Sequence, residues 1–274
     1  MKKYLYLCFL FVFSISCNND SKLAENLLKK ARAFYESNKY ANAKLYLDSL
    51  KVTFPKEAAI QKERLQLMHQ VELGEQERNL NYCDSMLVVY KIKADSLKKN
   101  FLFEKDENYD ETGKYLTKQQ KIENNLQKTY IRCNTNEQGE MYLESVYYGT
   151  KPINHTKIKV SSPTGGYTET ESIPKDGGLN YSFQDLGATT EIVTYKKGKD
   201  GGVIQFICNN HNEKLKAEYI GDKSYTVWLT PVEKNAVVEV NELATVLSDI
   251  DRLKNEIQKA KILIEYLKKK TGNG

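Results

Sequence analysis

Residues 243–267 read LATVLSDIDRLKNEIQKAKILIEYL. Within them Leu243, Val246, Ile250, Leu253, Ile257, Ala260, Ile264 and Leu267 recur at spacings of 3, 4, 3, 4, 3, 4, 3. That is the a/d pattern of a narrow helical seam, and Lys, Glu, Asp and Asn fill most of the positions around it. A second stripe lies earlier, at Leu73, Leu80, Leu87, Ala94 and Phe101, with Cys83, Tyr90 and Leu97 between. Gln76 is its one polar lapse, and Gly74 weakens its first turn. The two stripes correspond to helices of about 37–43 Å. Two matched seams joined by a long connection predict an antiparallel, intramolecular pair, because a tethered partner has the higher effective concentration. That register sets Glu77 against Lys268 and Asp84 against Lys261, but also Lys91 against Lys254. A parallel homodimer of the C-terminal helix is the competing arrangement, with Asp249 near Lys254 and Glu256 near Lys261.

Between the stripes the period changes from helical to alternating. A helical stretch is expected near Leu116 to Gln127. Strands are expected over 129–134, 140–148, 155–160, 179–184, 189–195, 203–209, 214–220 and 225–230. Turn chemistry separates them, as in Asn136-Glu137-Gln138-Gly139, Asp176-Gly177-Gly178 and Gly201-Gly202. Eight short strands at regular intervals imply an antiparallel sandwich. The fold class expected is therefore α+β: an N-terminal helical hairpin, an antiparallel coiled-coil pair of long helices, and an inserted β-sandwich-like domain. The boundaries fall at 1–16 for a leader, 17–72 for a helical region, 73–103 for the first seam helix, 104–230 for the β-rich part and 231–270 for the last helix.

The leader has a recognisable chemistry. Lys2 and Lys3 precede ten apolar residues, Tyr4 to Phe13, and Ser14-Ile15-Ser16-Cys17 leads directly into Asn18-Asn19-Asp20. Ten residues cannot span a bilayer core of about 30 Å but have the length of a signal-peptide core. The segment resembles a bacterial lipoprotein leader, with Cys17 in the lipidated position, Ser16 as the small residue before it, and Ser14 where that family has leucine. The resemblance implies cleavage before Cys17, acylation of its side chain, and a chain anchored to a bacterial membrane, the outer one expected. Tyr-, Asn- and Lys-rich composition broadly resembles exported lipoproteins of Bacteroidetes-type bacteria.

Residues 23–55 carry helical spacings at Leu27, Leu28, Ala31, Phe34 and Tyr35, then at Tyr40, Ala43, Leu47 and Leu50. Asn38-Lys39 makes the break, and Pro55 stops the second helix. This hairpin resembles one tetratricopeptide repeat, with Ala31, Phe34, Tyr40, Ala43, Leu47 and Pro55 in the matching slots. It departs at Leu27, Lys30 and Leu50. The resemblance implies a concave peptide-binding face with Leu28, Arg32 and Tyr35 as candidate contacts. One such unit cannot bury its own apolar face, so either residues 57–72 form a third helix that covers the hairpin or the segment is a generic helical hairpin.

Composition narrows the function. The chain has 274 residues and a net charge of +5, which falls to +3 without Lys2 and Lys3. So small and dispersed an excess does not suggest nucleic acid as a partner. Three histidines argue against His-rich metal sites, and neither Asp-Gly-Gly element continues into a phosphate loop or a calcium loop. Of the cysteines, Cys83 falls on the apolar stripe, while Cys133 and Cys208 fall in strand-like segments and could pair. Cys208 with His211 suggests a nucleophile and base, but a core cysteine and a loop histidine fit better. Lacking a recognisable catalytic motif, the chain reads as non-enzymatic, with no cofactor and no metal. The expectation is a lipid-anchored envelope interaction or scaffold protein that presents its β-domain on a coiled-coil stalk. The alternative is a glycan- or peptide-binding module using exposed aromatics, chief among them Trp228 on the outward face of its strand. The partners expected are the membrane through lipid on Cys17, an envelope protein, peptide or glycan, and a second copy if the C-terminal helix dimerises.

Overall fold

A computed structural model describes residues 16–107 and 111–271, with the side chains of 20–107 and 111–270. The leader expected before Cys17 lies almost wholly outside the described residues, as does the Cys17 side chain. The fold is mixed, with long helices and two antiparallel sheets, as the change of period predicts. It divides into two compact units, one of residues 1–86 with 254–274, the other of 87–253.

The first unit opens with α1 (Ser16–Glu36) and α2 (Tyr40–Thr53). Asn38 takes a left-handed φ of 57° between them. The N–H groups of Asn38 and Lys39 then bond to the carbonyls of Tyr35 and Phe34, closing α1 with a Schellman motif. Ala31 and Ala43 are fully buried where the two helices approach, alongside Leu28, Leu47 and Leu50. The third helix of the hairpin is not a separate element. It is the start of α3, a single helix of 41 residues (Ala58–Lys98), whose Ile60, Leu67 and Val71 complete the same core. No break occurs at the boundary expected between 72 and 73. Gln61 of α3 donates to the carbonyls of Leu50 and Phe54, capping the end of α2. Gly74 has a packing reason: a Cβ there would lie 2.8 Å from the Tyr40 hydroxyl.

The second unit contains the last turns of α3, then β1 (Phe101–Glu104), β2 (Lys114–Thr117) and two 3₁₀ turns, Lys118–Gln120 and Ile122–Asn124. It continues with β3 (Tyr130–Asn136), β4 (Met141–Gly149), β5 (Lys157–Ser161), β6 (Tyr167–Glu169), β7 (Asn180–Asp185) and β8 (Ala188–Tyr195). A short helix α4 (Val203–Asn209), β9 (Lys216–Ile220) and β10 (Ser224–Trp228) follow, before α5 (Pro231–Thr271). The six-stranded sheet runs β1-β2-β3-β4-β8-β7 and the four-stranded sheet β10-β9-β5-β6. Ile131, Cys133, Leu143, Val193 and Tyr195 on the inner face of the first join Ile158, Val160, Ala217 and Tyr219 of the second. Val203, Ile204 and Ile207 of α4 belong to the same core.

Three expectations fail here, each for a local reason. Residues 203–209 form a helix, not a strand, because buried Val203, Ile204 and Ile207 follow helical spacing and Asp200 receives the N–H groups of Gly202 and Ile204. The stretch 116–127 is not an α-helix. Its first residues, Leu116 and Thr117, pair with β1, and the Gln120 amide then engages β3, donating to the Ile131 carbonyl and accepting from Cys133 N–H. Phe101, read as the end of the first helical stripe, is instead the first residue of β1, paired with Thr117.

All eight residues of the later stripe are buried. In the second unit the buried face of α5 is wider than a seam, adding Ala236, Val237, Val240, Ala244 and Leu247, because the helix also covers the sheet core. In the first unit it narrows to Ile257, Ala260, Ile264 and Leu267. Glu77 meets Lys268 at 3.2 Å in that unit, the pair anticipated from the register, and Lys93 meets Glu242 at 3.2 Å in the other. Early residues of α3 thus face late residues of α5, the order of an antiparallel pair. Thr230 and Glu233 cap α5 reciprocally, and Glu233 also accepts the Ile131 N–H.

Gly139 in the β3–β4 turn has a φ of 84°, and a Cβ there would sit 2.3 Å from the Ala244 carbonyl oxygen and 2.4 Å from Ser248 N. Since both obstacles are helix backbone, Gly139→Ala is expected to cost about 3 kcal/mol, read as a lower urea midpoint at unchanged m-value. An unchanged midpoint would show that the hairpin and α5 are not in the contact described.

Candidate functional site

A polar network is buried in the second unit. Ser145 of β4 and Glu191 of β8 lie on the inner face of neighbouring strands, and His155 enters from the segment before β5. His155 Nδ1–H donates to Glu191 Oε2 at 2.8 Å, and His155 Nε2 lies 2.8 Å from Ser145 Oγ, which is 3.3 Å from the Tyr195 hydroxyl. Glu191 also accepts the backbone N–H groups of Ile153, Asn154 and His155. Burial works to raise its pKa, but these four donors outweigh burial and hold the carboxyl at about 2, against an ordinary 4.5. Burial likewise pushes the Tyr195 phenol up to about 12.

The order serine, histidine, carboxylate is that of a nucleophilic triad. Access is what a nucleophile needs and this serine lacks. Ser145 is 0% exposed, His155 1% and Glu191 2%, so no substrate carbonyl can approach Oγ in this conformation. The network joins β4 and β8 to the loop entering β5. No motif announces it, because its members are far apart in the chain and only strand register unites them.

An accessible site lies on the opposite, outer face of the six-stranded sheet. Tyr130 and Arg132 of β3, Val146 and Tyr148 of β4, and Tyr181 and Phe183 of β7 all turn outward there. The segment Ile122–Lys128 rises beside them, leaving a cleft of about 360 Å³. A second cleft of about 690 Å³ adjoins it, lined by Gln119, Asn124, Thr129, Tyr225, Val227 and Glu233. Asn125, Gln127, Lys128, Tyr130 and Tyr148 belong to both, so the two are contiguous. Tyr225 stacks edge-on against Tyr147 at 5.3 Å, and Thr129 Oγ1 accepts the Tyr148 N–H at 3.0 Å, setting the wall between them.

Charge in the floor is neutralised, since Arg132 donates to Glu144 through Nε at 2.7 Å and also through Nη2. Burial pushes the Tyr130 and Tyr181 phenols up, so both are neutral donors. Gln127 (φ 58°) and Leu186 (φ 48°) hold left-handed conformations at the rim, and Leu186 is 88% exposed. Non-glycine residues in that region carry strain, and strain of this kind gathers at ligand-holding loops. The arrangement can stack flat apolar surface against tyrosine rings and offer phenol and amide groups to a neutral polar ligand.

The sequence candidates are scattered. Trp228 is 61% exposed, on the face of β10 opposite Tyr225 and Val227, and lines neither cleft. Leu28 is 5% exposed inside the hairpin core and so is no contact residue. Arg32 pairs with Glu63 of α3 at 3.6 Å, and Tyr35 packs against the same core. The face proposed for peptide binding is therefore engaged in holding α3. Cys83, Cys133 and Cys208 are free thiols, so Cys133 and Cys208 are not bridged. Burial pushes the thiols of Cys133 and Cys208 up, away from thiolate character. His211 donates through Nδ1 to the Cys208 carbonyl, not to its sulfur. Among the described residues no group of three or more His, Cys, Asp or Glu side chains could hold a metal ion, and no helix is long and apolar enough to cross a membrane.

Comparison of the chain with protein-family models, with curated proteins and with solved structures returns no match.

Proposed function

We propose that this chain is a non-enzymatic interaction protein of the bacterial cell envelope, anchored to the membrane by lipid on Cys17, whose β-containing unit captures a glycan or peptide ligand. The anchor rests on the leader chemistry of residues 1–17. The binding role rests on one observation above all: four tyrosines and a phenylalanine from four strands converge on two contiguous open clefts. A sheet face that only needed solvation would carry charged residues there. The cleft offers instead neutral aromatic surface, which recognises flat or ring-shaped apolar faces with hydrogen-bonding edges.

Binding of the purified chain to glycan arrays and to envelope extracts tests this. Tyr130 touches both clefts, so Tyr130→Ala is expected to weaken binding by about 10- to 100-fold. Trp228→Ala, outside the clefts, is expected to leave it within about twofold. Equal losses from both variants, or no loss from Tyr130→Ala, would sink the assignment of the site. A second reading, self-association through α5, has exposed Ile262, Leu263 and Tyr266 in its favour. A monomer mass in light scattering at high concentration would remove it.

A further inference from the structure

We propose that the ligand is an extended peptide, which adds to the four-stranded sheet as a fifth strand along β10. This rests on the reading of the tyrosine clefts as a binding site and specifies what occupies them.

The phase of β10 follows from one bond. Leu229 N–H donates to the Leu215 carbonyl at 2.9 Å, in line with the register Ser224↔Ile220 to Trp228↔Lys216. Hydrogen-bonded pairs alternate along an antiparallel ladder, so Val227 and Tyr225 also bond to β9. The N–H and C=O groups of Ser224, Thr226 and Trp228 point away from it. Among the described residues no backbone or side-chain group meets those of Thr226 and Trp228.

Sheet edges attract other strands, and proteins usually guard them with charge, proline, brevity or a covering loop. The other edges here are guarded. β6 is three residues long, and the loop beside it meets the chain through Gly201, which accepts from Thr168 Oγ1, and Lys199, which accepts from Glu171 N–H. The Asn180 carbonyl of β7 accepts from Asp176 and Gly177, and Lys175 reaches over to Ser182. β1 has four residues and ends in Glu104. β10 reads Ser-Tyr-Thr-Val-Trp, with neither charge nor proline, and Ser224, Tyr225, Thr226 and Trp228 are exposed.

Position singles out a peptide over a glycan at this edge. Tyr225 and Val227, which share one face of β10, line the larger cleft. A strand laid beside them sends alternate side chains into the same cleft, between Tyr130 and Tyr148. Main-chain pairing then supplies affinity and the cleft supplies selection, the division of labour seen in strand addition. Only a polypeptide carries alternating N–H and C=O groups at the required spacing.

A phage-displayed library of linear peptides panned against the full chain tests this, with affinities of selected peptides read by fluorescence anisotropy. Peptides alternating apolar with polar residues should be enriched. Thr226→Pro removes an outward N–H without touching a bond to β9, and should weaken binding about tenfold or more. Should that variant misfold by circular dichroism, selected peptides N-methylated at alternate residues take its place on the unaltered chain. Methylation in one phase should abolish binding, and in the other leave it intact. Phase-independent binding that remains sensitive to Tyr130→Ala overturns strand addition but keeps the cleft as a binding site. Insensitivity to Tyr130→Ala overturns the underlying reading as well. Absence of any enriched peptide, or a concentration-dependent dimer that Thr226→Pro abolishes, overturns the peptide; the dimer would assign the edge to a second copy of the chain.

Discussion

Glu191→Ala is expected to lower stability by about 3–5 kcal/mol, the range for removing a buried charge from the partners that hold it. The carboxylate receives four N–H groups, from Ile153, Asn154, the His155 backbone and the His155 ring. Alanine leaves all four without that acceptor, three of them in buried bonds. Glu191→Gln is expected to be little better, because its amide NH₂ must face donors already in place. The same carboxyl predicts a pH dependence. Its pKa in the folded chain, about 2, lies below its ordinary 4.5. The stability it contributes, roughly 3 kcal/mol, is therefore fully present above pH 4.5 and is lost as the pH falls toward 2. Urea unfolding at a series of pH values reads both effects. The wild type should lose stability more steeply than Glu191→Gln through that window. Parallel curves would mean that the network does not hold the charge described.

What could be read from the chain was whatever is encoded locally. The spacing of Leu243 to Leu267 places every one of its residues on a buried face, since a helix converts linear spacing into a side. Glycine-bearing turns such as Gly139 and Gly177–Gly178 marked most strands, because left-handed backbone belongs to few residues. The Thr230–Glu233 capping box was also there to be found. Local propensity misled at Val203–Asn209, where β-branched residues hide a helical spacing. It misled again at 116–127, where a single glutamine completes the ladder of β3. The clefts were illegible for a deeper reason. Tyr130, Tyr148, Tyr181 and Tyr225 become neighbours only through the register of β3 with β4, β4 with β8 and β8 with β7, and through the meeting of β10 with the end of β4. The same holds for Ser145, His155 and Glu191. The burial of Leu28 was equally illegible, because a hairpin read alone has a free face, and Ile60, Leu67 and Val71 of α3 share its core.

The helical seam itself carries the second large expectation. Leu253 is 3% exposed, whereas Lys254 beside it points to solvent. Leu253→Asp removes apolar contacts and drives a carboxylate into a buried apolar face, a change expected to cost more than about 4 kcal/mol. Lys254→Asp alters charge by more but should stay within about 0.5 kcal/mol, since surface substitutions rarely exceed that. The contrast separates burial from electrostatics at adjacent positions. It also bears on which partner covers the seam. Leu253, Ile257, Ala260, Ile264 and Leu267 are all buried within one copy of the chain, so the urea midpoint of the wild type should not move with protein concentration. A seam closed by a second copy would instead make the midpoint rise with concentration, by mass action. A folded, soluble Leu253→Asp variant with an unaltered midpoint would contradict the burial of this seam, whichever partner were invoked.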